Sequence, residues 1–306
     1  MGTTNEPERA PALRRFWEGW RREILRGLVL FVMVLGVGLA VHRAFFSGRK
    51  AFLSRFGPDI DIDLGGPRQA GDTFHWQGKV SPSQWLYLRS TLGAITVTGG
   101  TGDQVEVTAV KSWRRSDPQT VHVVAVRKNG SVTICALWET AGESCGPQGE
   151  YQQHGLRGND VAVEFTVRVP RGVKVDAHTV NGAVQMEGVD APVAAATVNG
   201  GIDVSTARGP VSAATVNGHV DVAMRAFAGP GDVGLVTVNG AVSLALPANV
   251  DADVDASTVA GSIQTEFPLT VSGRFAGRRL EGKLGAGGRR VHITTVHGSI
   301  NLTKIP

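Results

Sequence analysis

Four copies of Thr-Val-Asn-Gly, beginning at Thr179, Thr197, Thr215 and Thr237, constrain this chain more than any other feature. Two weaker copies follow, Thr-Val-Ala-Gly at Thr258 and Thr-Val-His-Gly at Thr295, so successive spacings are 18, 18, 22, 21 and 37 residues. A branched apolar residue stands two places after every glycine, and the middle copies continue with alternation, as in Val184-Gln-Met186, Ile202-Asp-Val204 and Val220-Asp-Val222. Period-two alternation is the mark of a strand with one buried face. A single short strand cannot bury that face alone, whereas strands from successive coils, stacked in register, bury it against one another.

Aligned this way, Val180, Val198, Val216, Val238, Val259 and Val296 form one column, and Val184, Ile202, Val220, Val242, Ile263 and Ile300 form another. Both columns are expected inside, with the repeat threonines on the opposite, outer face. A second strand per coil is expected at segments such as Ala191-Pro-Val-Ala-Ala-Ala and Gly209-Pro-Val-Ser-Ala-Ala. Parallel crossovers are right-handed almost without exception. The fold class read here is therefore all-β, a parallel, right-handed β-solenoid or β-helix, with one transmembrane helix ahead of it. Upstream, the segment from Trp85 to Gly99 reads as a degenerate first copy, and the alternating runs near Val105, Val121, Ser131 and Ala162 read as an irregular cap.

Residues 27–41 carry no charge and residues 27–46 are read as a transmembrane helix acting as a signal anchor, with Arg26, His42 and Arg43 reaching the headgroups. Cleavage as a secretory signal after Ala40 is the alternative, against which the long basic stretch before the apolar run counts. Arg9, Arg14, Arg15, Arg21, Arg22 and Arg26 precede the span, which orients the N-terminus toward the cytoplasm. The chain then divides into a basic cytoplasmic segment 1–26, the helix 27–46, a linker 47–73 and the solenoid 74–306, with its cap at 74–170 and regular repeats at 171–306. Localisation in the cytoplasmic membrane, single-pass, with the C-terminal domain extracytoplasmic, follows from that division.

Charge supports the same division. The first 50 residues hold nine Lys and Arg against four Glu, so of the totals of 31 and 27 the remaining 256 residues carry 22 against 23, a net of −1. No basic stripe runs through the body of the chain, which argues against nucleic acid as a partner. The two cysteines, Cys135 and Cys145, lie in the exported part ten positions apart and are expected to form a disulfide; two thiols without a His or acidic cluster nearby do not complete a metal site.

The Asn-Gly pairs admit two readings. Both residues tolerate positive φ, so they can mark a sharp bend repeated in each coil. Alternatively Thr179, Asn181, Thr197, Asn199, Asp203, Thr215, Asn217, Asp221, Thr237 and Asn239 form an outward polar ladder that binds a glycan or a cell-surface protein.

The order Phe74-His-Trp-Gln-Gly, Leu86-Tyr-Leu-Arg-Ser-Thr-Leu-Gly-Ala-Ile-Thr-Val, Val169-Pro-Arg-Gly-Val, tandem T-V-N-G coils and a closing Ile293-Thr-Thr-Val-His-Gly-Ser-Ile-Asn-Leu resembles the bacterial putative adhesin family, across about residues 74–306. That resemblance implies a β-solenoid at the cell surface or in the periplasm and supplies no catalytic motif. Some relatives carry an anti-sigma zinc finger ahead of the solenoid, which this cysteine-free N-terminal segment does not match.

Catalytic patterns are weak. Gly142-Glu-Ser-Cys-Gly146 has the G-x-S-x-G spacing, but that motif works only at a strand-to-helix turn of an α/β sheet. Asp203 and Asp221, equivalent positions in adjacent coils, could be paired carboxylates of a glycosidase or ligands of calcium, although isolated acids on an outward strand position are ordinary. No catalytic, cofactor or metal site is expected. The function read from the sequence is a membrane-anchored, non-catalytic binding or adhesion module, with an envelope-sensing structural or signalling partner as the alternative and a carbohydrate-active enzyme behind both.

Overall fold

The computed structural model describes residues 67–305 apart from 155, 157, 228–230 and 273–276. The anchor expected at 27–46 and most of the linker lie outside the described residues. Among the described residues no helix is long and apolar enough to cross a membrane.

Two large sheets, of ten and eleven strands, contain nearly all the regular structure. Seven coils, numbered in chain order, each give one strand to the eleven-stranded sheet and then one to the ten-stranded sheet. They are coil 1 (Trp85–Arg89, Ile95–Gly99), coil 2 (Lys174–His178, Val184–Asp190), coil 3 (Val193–Ala196, Ile202–Arg208) and coil 4 (Val211–Asn217, Val220–Met224). Coil 5 (Val233–Asn239, Val242–Pro247), coil 6 (Ala252–Ala260, Ile263–Thr265) and coil 7 (Arg289–His297, Ile300–Ile305) follow. Neighbouring coils pair in parallel in both sheets. Coil 1 is in register with coil 2, Leu86 opposite Val175 and Ile95 opposite Val184, so the degenerate copy is a true coil.

Sequence order and spatial order part at the C-terminal end. Coil 7 pairs with coil 5 on one side and coil 6 on the other, in both sheets, so the coils stack as 1-2-3-4-5-7-6. Between coils 6 and 7 the chain turns back as strand Arg278–Leu284, antiparallel to the first strand of coil 6, and this excursion is what lengthens the spacing to 37 residues. Beyond coil 1 the irregular cap adds Ser131–Trp138 and Val121–Lys128 to one sheet, and Ala162–Val169, Val105–Trp113 and Gln69–Gly78 to the other. Gln69–Gly78 begins inside the segment read as linker.

The core lies between the sheets. Ile202 and Val204, Val220 and Val222, Val242 and Leu244 point inward from one; Val193 and Ala195, Val211 and Ala213, Val233 and Leu235 point inward from the other. The inward alternation Val211, Ala213 continues to Thr215, which is also buried, as are Thr179, Thr197, Thr237, Thr258 and Thr295. This corrects the expectation that Thr179, Thr197, Thr215 and Thr237 face outward and that Val180, Val198, Val216, Val238, Val259 and Val296 are core. Five of those valines are half-buried, and the sixth, Val259, is 59% exposed. The physical reason is the corner between Thr215 and Val220. Both residues are inward although five positions apart, so the alternation is reset by one residue across the bend and cannot be counted through it.

Candidate functional site

The repeat tetrapeptide builds this corner, and each of its residues has a separate task. Every threonine hydroxyl donates to the carbonyl of the repeat glycine in the next coil of the stack: Thr179 to Gly93 (3.0 Å), Thr197 to Gly182 (2.9 Å), Thr215 to Gly200 (3.0 Å), Thr237 to Gly218 (2.9 Å). Thr295 reaches Gly240 (3.0 Å) and Thr258 reaches Gly298 (2.9 Å), the partners that the inserted coil 7 requires. A hydroxyl buried beside a carbonyl satisfies both groups at the one place where the strands' own ladder is interrupted.

The glycines are required by close approach. A Cβ at Gly200 would lie 2.1 Å from the carbonyl oxygen of Gly182 in the next coil. Positive φ is not the cause, since neither Gly200 nor any repeat asparagine adopts it. The asparagines form a ladder of side-chain amides: Asn199 Nδ2 donates to Asn181 Oδ1 (2.8 Å), Asn217 to Asn199 (2.9 Å) and Asn239 to Asn217 (2.9 Å). Asn199, Asn217 and Asn239 are exposed. Of the ten residues expected in the polar ladder, the four asparagines thus line one edge, the two aspartates lie on the adjoining sheet face, and the four threonines belong to the interior.

That adjoining face, the outside of the ten-stranded sheet, carries a groove of about 540 Å³ running across coils 1 to 5 and 7. Its outward lining is Thr96 and Thr98, Gln185 and Glu187, Asp203 and Ser205, Asp221 and Ala223, Ser243 and Ala245, and Thr303. One column across it reads Thr96, Gln185, Asp203, Asp221, Ser243, Asn301 in strict register. Among the described residues the groove's lining has three carboxylates, short hydroxyl and amide groups, and no Lys or Arg.

At the centre of the column Asp203 and Asp221 are register partners, and His219 joins them, its Nε2 3.2 Å from Asp203 Oδ1. One ligand atom from each of these three residues lies within 4.8 Å of the others. The sequence pointed to the two aspartates but not to His219. The position after the repeat glycine is Ala183, Gly201, His219 and Ala241 in coils 2 to 5, so no column marks it. The signal available was the pair of Gly201 and His219 one 18-residue step apart, a missing side chain opposite a large one.

The other outer face is different in character. At its cap end the turn that follows Cys145, which is joined to Cys135 as a disulfide, bonds to side chains of the sheet, its Gly149 N–H donating to Thr133 Oγ1 (3.1 Å). Gly149 there accepts from Arg89 Nε (2.9 Å), and Arg89, nearly buried, also bonds Asp176 (3.0 Å). Tyr151 donates to Ala136 O (2.8 Å), and burial pushes its hydroxyl pKa up. Ser144 of the G-x-S-x-G match sits on a two-residue strand, Ser144–Cys145, paired with Tyr151–Gln152, and not at a strand-to-helix turn.

An all-β scaffold of stacked coils presenting a polar, acidic groove is the class these observations define. Residues 159–303 match the family described as Toastrack DUF4097. No curated protein matches the sequence. Among solved structures, a putative cell adhesion protein from Clostridium sporogenes is similar at 9% identity and a TM-score of 0.39, covering 76% of this chain and 99% of that one. A putative adhesin from Bacteroides fragilis gives 10% identity and 0.28, with 76% and 97% covered. A putative lipid binding protein from Parabacteroides distasonis gives 9% and 0.21, with 77% and 98% covered.

Proposed function

We propose that this protein is a non-catalytic binding module, held to the cytoplasmic membrane by residues 27–46 and exposed on the extracytoplasmic side, whose ligand lies in the groove of the ten-stranded sheet. The observation that carries this reading is the register column of short polar side chains across six coils, a repeated surface suited to a repeated ligand. Hydroxyl and amide groups at the strand spacing of about 4.8 Å match an extended, hydroxyl-rich chain such as a surface glycan. Glu187, Asp203 and Asp221 with no cation in the lining disfavour a bare anionic ligand such as a nucleic acid or an acidic headgroup. An enzyme reading is weaker, because the two paired aspartates lie on an open sheet face where nothing excludes water from a reacting bond.

Full-length protein in detergent, applied to a glycan array, tests this. Binding to one class of glycan is expected, lost in Gln185→Arg and Ser243→Arg and kept in Ala214→Arg, an exposed position on the other sheet. Retention of no glycan by the wild type, or equal loss in Ala214→Arg, would contradict the reading. The anchor is checked separately: N-terminal sequencing of the protein recovered from membranes should begin upstream of residue 27, and a start at Val41 would refute it.

A further inference from the structure

Like charges directly opposite one another on neighbouring strands repel, and Asp203 and Asp221 are so placed on coils 3 and 4. Their column gives no relief, since the flanking coils put Gln185 and Ser243 there. His219 meets Asp203 at 3.2 Å, and it does so by lying back over coil 3. Gly201 makes that possible: a Cβ there would stand 2.2 Å from the imidazole Cε1. Two carboxylates held together, an imidazole folded toward them and a side chain absent to admit it bring three donor groups to one point.

We infer that Asp203, His219 and Asp221 bind a divalent cation of borderline softness, for which Zn²⁺ is the probe. The three donor atoms already lie within 4.8 Å of one another. Zinc takes imidazole nitrogen and carboxylate oxygen at about 2.0–2.2 Å, so modest rotation of these partly exposed side chains closes the set around it. Calcium and magnesium require more oxygen ligands than the cluster provides and have little use for imidazole. Among nitrogen and oxygen sites of this kind zinc is held more tightly than manganese. Three protein ligands leave coordination positions open toward the groove, where water or a ligand hydroxyl or carboxylate completes the shell. The cation site rests on its own geometry and stands whether or not the groove binds a glycan.

Titration calorimetry of full-length protein, purified without a histidine tag and stripped with chelator, decides the matter. One equivalent of Zn²⁺ should bind saturably, and Ca²⁺ at least about tenfold more weakly. His219→Ala and Asp221→Asn should each weaken zinc by about tenfold or more, while His292→Ala, an imidazole beside Asp255 on the other sheet, should leave it unchanged. Gly201→Val keeps all three ligands but displaces the ring, and should weaken zinc without lowering the metal-free melting temperature. Absence of saturable zinc binding in the wild type overturns the inference. So does zinc binding that is unchanged in His219→Ala or Gly201→Val, or lost equally in His292→Ala. If His219→Ala melts early on its own account, the Gly201→Val result alone carries the decision.

Discussion

Thr258 and Val259 are neighbours in the chain with opposite circumstances. Thr258 is 3% exposed and its hydroxyl is committed to Gly298 O, whereas Val259 is 59% exposed. Thr258→Val should therefore cost about 1–3 kcal/mol, because a part-buried carbonyl loses its donor while the shape of the side chain is kept. Val259→Asp should stay within about 0.5 kcal/mol, the usual range for a surface substitution. Urea melts of the two variants check the pair, and the reverse ranking would return the valines to the core. Residue-scale roles were the least legible part of the sequence. Alternation identifies an inward face only within a straight strand, and the phase change between Thr215 and Val220 hides which member of each Thr-Val pair is inside. His219 escaped for a related reason, since its contact with Asp203 exists only once the coils are in register.

At the scale of a single coil the corner is the element that sets the stacking distance. Gly200→Ala would drive a methyl into the Gly182 carbonyl of the adjoining coil, backbone against backbone, and should cost about 2–3 kcal/mol, in the range of core overpacking. A melting temperature equal to wild type would mean the corner is looser than described. The cap is fastened differently. Asp160 accepts from the amides of Arg114 (3.0 Å) and Ser116 (2.9 Å), gathering the turn after Val105–Trp113. Burial acts to raise its carboxyl, but the Ser116, Arg114 and Arg115 amides and the Ser116 hydroxyl outweigh it and hold the pKa at about 2. A folded value below the unfolded value of about 3.9 means stabilisation present above that unfolded value and lost as pH falls through about 2. Asp160→Asn should cost about 1 kcal/mol near neutrality, discounted for screening, and the gap to wild type should close between about pH 4 and pH 2. A gap independent of pH would leave the amide cluster without its assigned role. Strand positions in the regular coils were legible from period-two alternation and the 18-residue step. The start of the cap at Gln69 was not, because Gln69–Gly78 is an edge strand with no fully buried residue to betray it.

Across the whole molecule, what distinguishes this chain from a simple stack is the insertion of coil 7 between coils 5 and 6. Six tandem copies announce stacked coils, and the 37-residue gap before the last announces an excursion, but neither states where the chain re-enters. The pairings give the answer: coil 7 lies between coils 5 and 6 in each sheet and bonds on both sides. The groove depends on that order, since Thr303 of coil 7 lines it beside Ala245 of coil 5.

The order can be read directly by cross-linking. Ser243 and Asn301 are register partners on coils 5 and 7, and Asn301 in turn partners Gln264 on coil 6, so Ser243 and Gln264 are two strand spacings apart. Adjacent parallel strands, about 4.8 Å apart, fall within the Cα separation a disulfide spans, and twice that distance does not. The double variant Ser243→Cys with Asn301→Cys should oxidise to a new disulfide, and Ser243→Cys with Gln264→Cys should keep two free thiols under the same conditions. Oxidation of the second pair and not the first, read by mass spectrometry of the non-reduced protein, would restore the coils to sequence order and contradict the architecture on which the binding face is built.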